Sequence, residues 1–156
     1  MRRINLAELD VGKLREGPDG FRSATTRLGK ELGARATGTT VWDFDPGQAA
    51  CPYHYEHGEE EWALVISGRP TLRTPEGVEQ LGPLDLVFFP TGPEGAHQFL
   101  NESDEPARVL MWSNVVFPTS TVYPDSDKVG VWTEDESEEI VVPRSAAVDY
   151  YHGESR

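Results

Sequence analysis

Two histidines and two glutamates of this chain have the types and the spacing to bind one metal ion. His54 and Glu56 are separated by a single residue, so an extended backbone would point both side chains to the same face of a strand. Glu61 begins the next predicted strand after a short turn at Gly58, and two neighbouring antiparallel strands could then aim all three groups into one space. His97, 36 residues further along, could supply a fourth group.

This set of imidazole nitrogens and carboxylate oxygens favours a divalent first-row ion such as Mn(II), Fe(II), Ni(II) or Zn(II). It contains no thiolate, which argues against a closed structural zinc site and for an open one with room for a substrate. The competing interpretation is that each histidine is an ordinary hydrogen-bonded strand residue and that residues 59–61 are a solvated turn. The spacing alone leaves both interpretations open.

Short strands are the elements that must position these residues. The 156 residues include 15 glycines and 12 prolines, a density of turn formers that interrupts the chain too often for long helices. The predicted strands are residues 39–44, 61–67, 71–74, 84–89, 97–101, 108–112 and 114–117. Strands this short and this regularly spaced predict an all-β protein, an antiparallel barrel or jelly roll.

Alternation within these strands predicts which side chains face inward. Glu61 shares a face with Val65, and His97 shares a face with Phe99, because strand side chains repeat every second residue. Phe99 and Met111 would fall on inward faces and line the pocket if this register holds.

The two ends of the chain are less regular than its centre. Residues 23–32 are interpreted as strand or irregular structure rather than a short helix, because Gly29 and Gly33 weaken a helix there. After Pro118 the pattern is looser, and the acidic run 133–140 is interpreted as a solvated loop.

The overall charge restricts the classes of partner. Fourteen basic and 27 acidic residues give a net charge of −13, which disfavours nucleic acid and anionic membrane surfaces. The single cysteine, Cys51, rules out an internal disulfide and fits a reducing compartment. With neither a signal peptide nor a membrane-length apolar run, we expect a soluble cytoplasmic protein.

The segment around His54 resembles the first of the two sequence motifs of the cupin superfamily. That motif is a glycine, two histidines separated by one residue, a glutamate and, after six further residues, a second glycine. Gly47, His54, Glu61 and Gly68 match it, while Glu56 stands where the motif has its second histidine.

The second cupin motif has a similar match further along the chain. Pro90, Gly92, His97 and Asn101 follow its order, with two extra residues between Gly92 and His97. Leu84 stands where the motif opens with a glycine. The two motifs together cover about a third of the chain, and their match in order is what makes the resemblance specific.

The resemblance implies that His54, Glu56, Glu61 and His97 fill the four ligand positions of one divalent ion, Mn, Fe, Ni or Zn. A second carboxylate makes the site harder and more anionic, which favours Mn(II) or Fe(II) over Cu(II). His57 would point away by alternation, as a surface or rim residue.

The resemblance also implies one cupin domain over residues 1–156, an antiparallel double-stranded β-helix with its barrel core at about 38–117. Cupins of this size commonly pair, so we expect a homodimer to whose contact the first 40 residues contribute.

Three classes of function remain open. The chain could be a metal-dependent enzyme, of dioxygenase or isomerase type, on a small polar molecule. It could instead be a non-catalytic binding or sensing barrel, or a storage barrel. Phe99, Met111 and Arg73 are the candidate substrate-binding residues. No catalytic residue is assigned, because few inward-facing polar groups remain beyond the ligands.

Overall fold

The computed structural model describes residues 1–155 and is built almost entirely of short strands. Among these residues the one α-helix is α1 (Leu28–Leu32), and four isolated turns of 3₁₀ helix lie at Pro93–Gly95, Pro124–Ser126, Glu136–Glu138 and Arg144–Ala146. The strands are β1 (Lys13–Glu16), β2 (Arg22–Thr26), β3 (Thr37–Phe44), β4 (Tyr55–Glu56), β5 (Glu61–Ser67), β6 (Thr71–Thr74), β7 (Gly77–Gln80), β8 (Leu86–Phe89), β9 (Gln98–Leu100), β10 (Ala107–Asn114), β11 (Thr119–Tyr123), β12 (Lys128–Trp132) and β13 (Ile140–Pro143).

These strands form three antiparallel sheets. The largest has the order β1-β2-β3-β10-β5-β8, a second has β13-β12-β11-β4, and the third has β7-β6-β9. The prediction of an all-β, antiparallel, jelly-roll protein without long helices is confirmed. None of the helices within residues 1–155 is long and apolar enough to cross a membrane.

The core lies on the inner side of the large sheet, where alternating residues meet in register. Ala63 and Val65 on β5 are buried, and Val65 lies opposite Val109 on β10. Phe89 and Phe99 join them in one apolar cluster. The face predicted for Glu61 is therefore the inner face of the barrel.

Most strands of the centre agree with the prediction, and two differ. Residues 61–67 and 71–74 form the predicted strands, whereas the predicted strands 108–112 and 114–117 are replaced by one strand, Ala107–Asn114, and residues 115–117 lie outside it. Residues 23–32 contain both a strand, up to Thr26, and the short helix that was disfavoured. That helix ends at Gly33, whose left-handed φ of 74° suits a helix terminus.

The expectation that the strand of His54 and Glu56 neighbours the strand of Glu61 is wrong. β4 pairs with β11 in the four-stranded sheet, whereas β5 lies between β10 and β8. The turn after Glu56 carries the chain from one sheet to the other, so the two glutamates approach the barrel interior from different sheets. The sheet framework also extends past residue 117, because β11, β12 and β13 build the sheet that holds β4.

Candidate metal centre

Three of the four predicted ligands meet inside the barrel. His54, Glu61 and His97 each offer one donor atom, and these atoms all lie within 4.8 Å of one another. The two histidines are held side by side by their backbones: the N–H of His54 donates to the His97 carbonyl at 3.1 Å, and the reverse bond measures 2.8 Å. Glu61, the first residue of β5, faces them from the large sheet.

Both imidazole rings are oriented so that their Nε2 atoms point into this space. Nδ1 of His54 lies 2.9 Å from the carbonyl oxygen of Pro52, and Nδ1 of His97 lies 2.9 Å from that of Gly95. A carbonyl can only accept, so each Nδ1 carries the proton and each Nε2 carries the lone pair. This is the tautomer that metal-binding histidines adopt when a carbonyl holds their other nitrogen.

The strongest indication of a cation site comes from His97. Its side chain is fully buried, and its Nε2 has no hydrogen-bond partner among the described residues. That atom lies 3.6 Å from Oε2 of Glu61. A buried, unpaired lone pair beside a carboxylate is costly for a protein alone but suits a divalent first-row ion. The donor set therefore fits the predicted metal.

Aromatic packing fixes the rings in place. Phe89 stacks on the His97 ring at a centroid distance of 3.8 Å and an interplanar angle of 13°, and Phe99 packs edge-on at 6.3 Å. The His54 ring lies 4.7 Å from that of His97, and Tyr123 stacks on it at 6.0 Å. Rotation of either imidazole would disturb this packing.

Glu56 lies beside this group but does not belong to the mutually close set of three. Its Oε1 is 3.9 Å from Nε2 of His54. The hydroxyl of Thr121 lies 2.6 and 2.8 Å from its two carboxylate oxygens, and the indole N–H of Trp132 donates to that hydroxyl. Glu56 is thus held at the wall of the four-stranded sheet, and its role as a fourth ligand stays a prediction.

Burial makes the charged forms of these groups unfavourable. It raises the pKa of Glu61 to about 8, with the charges of Glu56 and Glu59 adding to the effect, and it raises the pKa of Glu56 to about 7. Burial also lowers the pKa of His54, and it lowers that of His97 to about 3 with a contribution from the neighbouring imidazole. The metal-free pocket is therefore close to neutral, and a bound cation would favour release of its carboxyl protons.

The predicted substrate-binding residues are spread over different environments. Phe99 and Met111 are both buried in the apolar core, with Phe99 directly behind His97. Arg73 makes a two-pronged ion pair with Asp125 at 2.6 and 2.9 Å. The contact of each with a substrate stays a prediction. His57 is exposed, as alternation predicts.

Several polar residues of the pocket were not identified from the sequence. Thr121, Tyr123 and Trp132 come from β11 and β12, in the region interpreted as loose. The β-branched and aromatic residues among 119–123 were the available signal for a strand, but they do not indicate its pairing partner. Glu59, interpreted as part of a solvated turn, is half-buried and accepts a hydrogen bond from Ser113 at 3.0 Å.

The surroundings of Cys51 argue against a role as a nucleophile. Burial raises the pKa of its thiol to about 12, with the charge of Glu61 adding to the effect. The reactive thiolate is therefore a minor species at neutral pH.

Comparison with known proteins agrees with this architecture. The sequence model of the family described as Cupin domain matches residues 40–113. No curated protein sequence matches the chain.

Several solved structures resemble the fold. A provisionally assigned sugar phosphate isomerase from Acidithiobacillus ferrooxidans is 26% identical, with a TM-score of 0.75 over 83% of this chain and 81% of its own. A cupin-superfamily sugar phosphate isomerase from Silicibacter pomeroyi is 22% identical, with a TM-score of 0.81 over 94% and 95%. The polyketide cyclase RemF from Streptomyces resistomycificus is 22% identical, with a TM-score of 0.62 over 88% and 91%. The protein therefore contains a small cupin domain, to which the matched residues 40–113 belong.

Proposed function

We propose that this protein is a metal-dependent enzyme of the isomerase type that acts on a small polar molecule. His54, Glu61 and His97 would hold one divalent first-row ion. The observation that carries the proposal is the buried Nε2 of His97, which faces Glu61 and has no hydrogen-bond partner among the described residues. A purely structural histidine at this depth would be expected to have both nitrogens satisfied.

Three protein ligands leave coordination positions open for a substrate. The bound ion would act as a Lewis acid that polarises a carbonyl or hydroxyl oxygen of that substrate. The stacked Phe89 and the edge-on Phe99 hold the His97 ring, so the donor atoms keep their places during a reaction.

Glu56 is the group best placed to move a proton. Its carboxylate is beside His54 but outside the set of three donors, and Thr121 holds it in position. A carboxylate at the edge of the site can take a proton from one carbon or oxygen of the substrate and return it to the next. We therefore assign Glu56 the role of proton carrier, and its role as a fourth ligand becomes the competing outcome of the experiment.

Two basic side chains lie on the pocket-facing sides of the sheets, and their positive charges support the proposal of an anionic substrate. Arg15 lies opposite the buried Ser23 in the register of β1 and β2, so both side chains face the barrel interior, and its guanidinium lies 5.4 Å over the Trp42 ring. On the other sheet, Lys128 lies opposite Tyr123, with its Nζ 4.8 Å from that ring.

The surroundings of Arg15 also contain acidic groups. Arg15 is exposed and borders a cleft of about 700 Å³ that four acidic residues also line, Asp10, Glu31, Glu136 and Glu139. Its positive charge could thus serve either a substrate or these carboxylates, and a substitution distinguishes the two roles.

The likeness to the 26%-identical sugar phosphate isomerase supports a specific substrate class. Isomerisation of a hydroxy-carbonyl compound needs polarisation of an oxygen and one carboxylate that moves a proton, which this pocket offers. A phosphate on the substrate would suit the cations. We therefore propose phosphorylated hydroxy-carbonyl compounds as the first class to test.

The experiment is a turnover screen of metal-loaded protein with aldose and ketose phosphates and their unphosphorylated counterparts. We expect turnover of a phosphorylated compound that falls by about 100-fold or more in Glu56→Gln with the metal retained. Glu60→Gln, an exposed neighbour, is the matched control. Loss of metal in Glu56→Gln would instead make Glu56 a ligand. Tight substrate binding without turnover in any metal form would favour a non-catalytic binding barrel.

A second pair of variants tests whether Arg15 binds an anionic group of the substrate. Arg15→Ala should raise KM for the phosphorylated compound, whereas Arg22→Ala should not, since Arg22 lies on the other face of β2 and pairs with Glu16. Equal kinetics for Arg15→Ala and the wild type would contradict the role of Arg15.

A further inference from the structure

The hydroxyl of Thr121 lies between the carboxylate of Glu56 and an indole ring. It lies 2.6 and 2.8 Å from the two carboxylate oxygens, and it accepts a hydrogen bond from the indole N–H of Trp132. Because the indole N–H can only donate, the Thr121 oxygen receives it on a lone pair and directs its own single proton to the carboxylate. Both hydrogen bonds therefore run in one direction, from Trp132 through Thr121 to Glu56.

The backbone beneath the indole leaves room for this arrangement. Gly130 lies opposite Thr121 in the register of β11 and β12, and a Cβ at Gly130 would come within 2.7 Å of the Trp132 ring. Gly130 and Trp132 are two residues apart on one strand and share a face, so the ring folds back over the glycine to reach Thr121. Thr121 is only 2% exposed, which shields its hydrogen bonds from water. A side chain at position 130 would displace the indole from its acceptor.

These contacts hold Glu56 beside the metal ligands rather than among them. Its Oε1 lies 3.9 Å from Nε2 of His54, and it stands outside the mutually close donors of His54, Glu61 and His97. Its side chain is 13% exposed, and both of its oxygens contact Thr121 in the four-stranded sheet. Movement of one oxygen onto the ion would break this paired contact.

We infer that Trp132 and Thr121 form a tether that keeps Glu56 off the metal ion and so keeps one coordination position open for the substrate. Trp132 is then a positioning residue, because it acts on Glu56 through the Thr121 hydroxyl. The inference rests on the proposed function, in which Glu56 carries a proton. A carboxylate bound to the ion would lose basicity to the charge of the metal and would be a poor proton carrier.

The experiment measures Mn(II) affinity by calorimetry and the water proton relaxation of the Mn(II)-loaded protein, at about pH 8.5, where protons compete weakly for the carboxylates. In Thr121→Val the released Glu56 should bind the ion. The Mn(II) dissociation constant should then fall by about tenfold, because an added charged ligand tightens a site. The relaxation enhancement should fall as well, because Glu56 displaces a coordinated water. Thr121→Ser keeps the hydroxyl and should match the wild type in both measurements.

Dependence on the Glu56 carboxylate separates the tether from a general effect on packing. Thr121→Val combined with Glu56→Gln should bind Mn(II) no more tightly than Glu56→Gln alone, since the amide brings no charge to the ion. A packing effect would appear equally in both backgrounds. Equal tightening with and without the Glu56 carboxylate would therefore overturn the inference.

Two further variants test the indole and cover the case in which Thr121→Val does not fold. Trp132→Phe removes the N–H, and Gly130→Ala displaces the intact ring. Both should tighten Mn(II) binding, though less than Thr121→Val, and Trp132→Phe should add nothing to Thr121→Val. Trp112→Phe is the matched control, because that ring stacks on Trp62 on the opposite face of the large sheet, and it should leave Mn(II) binding unchanged.

The outcomes distinguish this inference from the proposed function. Weaker Mn(II) binding in Thr121→Val would make Glu56 a ligand that Thr121 orients, and it would overturn the tether, as would unchanged affinity and relaxation. A wild type that binds no Mn(II) would overturn the proposed function together with the tether. Where the wild type turns over a compound, kcat should fall by about 10- to 100-fold in Thr121→Val and Trp132→Phe, and an unchanged kcat beside tighter Mn(II) binding would overturn the role of Glu56 as proton carrier while supporting the tether.

Discussion

Nε2 of His97 lies 3.6 Å from Oε2 of Glu61, while the Nδ1 of the same ring is hydrogen-bonded to the Gly95 carbonyl at 2.9 Å. One nitrogen of this buried imidazole is thus fixed as a donor, and the other presents a lone pair beside a carboxylate. The pair belongs to different elements, with Glu61 at the start of β5 and His97 just before β9. The jelly roll brings together two groups that are 36 residues apart.

Glu61→Gln should remove metal binding without unfolding the barrel, because the side chain keeps its size but can no longer ionise. We expect the affinity for Mn(II) or Zn(II) to fall by about 100-fold or more by calorimetric titration. Glu60→Gln, at an exposed neighbouring residue, controls for the loss of one carboxylate outside the ligand set. Full affinity in Glu61→Gln would contradict Glu61 as a metal ligand.

His97→Ala should both remove the metal and destabilise the protein. The imidazole ring is fully buried and stacked on Phe89. Its deletion leaves a cavity, so the free energy of unfolding should fall by about 2–4 kcal/mol in chemical denaturation of metal-free protein. His57→Ala, on an exposed ring, should change it by less than about 0.5 kcal/mol. Equal stability of the two variants would contradict this packing.

Stabilisation by the metal should grow with pH. The folded pKa of Glu61 is raised from 4.5 to about 8, so its protonated form stabilises the metal-free barrel fully below about pH 4.5, and this contribution is lost as the pH rises to about 8. Metal binding needs the ionised carboxylate.

The metal-induced rise in melting temperature should therefore increase between about pH 4.5 and about pH 8, the window that this shift defines. His97 does not oppose the trend, because its pKa is lowered to about 3. A rise in melting temperature that is the same at all pH values would contradict the buried environment of Glu61.

Thr121→Val should raise the pKa of Glu56 further. Burial already raises that pKa to about 7, while the Thr121 hydroxyl holds it down by donating to the carboxylate. Carboxyl carbon NMR titration of the metal-free protein, with Glu56→Gln to assign the resonance, measures the change. Thr119→Val is the matched control, because that buried hydroxyl has no hydrogen-bond partner in the described part of the chain. An unchanged pKa in Thr121→Val would contradict the contact.

Gly95→Ala should distort the site through the backbone. A Cβ at this position would collide with the Pro90 carbonyl, and the Gly95 carbonyl is the acceptor that orients His97. We expect a loss of about 2 kcal/mol or more in stability together with weaker metal binding. Gly82→Ala, where a Cβ meets only the edge of Asp85, should be nearly neutral. A Gly95→Ala protein with normal stability and affinity would contradict this geometry.

Much of the central fold could be predicted from the sequence, because its strands alternate cleanly between turn residues. Residues 61–67 are the best example, since one face is packed in the core and the other is not. The predicted break between 112 and 114 was wrong because Ser113 and Asn114 are polar yet remain in register with β3. Short-range pattern does not reveal such long-range pairing.

The ligand groups could be predicted in type but not in arrangement. His54 and His97 are recognisable from their motifs, yet their backbone bridge joins residues 43 apart and is a property of the folded barrel. Thr121 could not be found, because nothing in the local pattern indicates that β11 pairs with β4. Glu56 is partly separated from the other donors because its strand, β4, belongs to the four-stranded sheet, and the sequence does not indicate this pairing either.

The most direct test of the account is the metal content of the protein. Purified chain should be stripped with a chelator, reconstituted separately with Mn(II), Fe(II), Ni(II) and Zn(II) under anaerobic conditions, desalted, and measured by elemental analysis. We predict close to one ion per chain for at least one of these metals, and close to none in Glu61→Gln treated in parallel. No retained ion in the wild type, or equal retention in Glu61→Gln, would contradict a metal centre built on His54, Glu61 and His97.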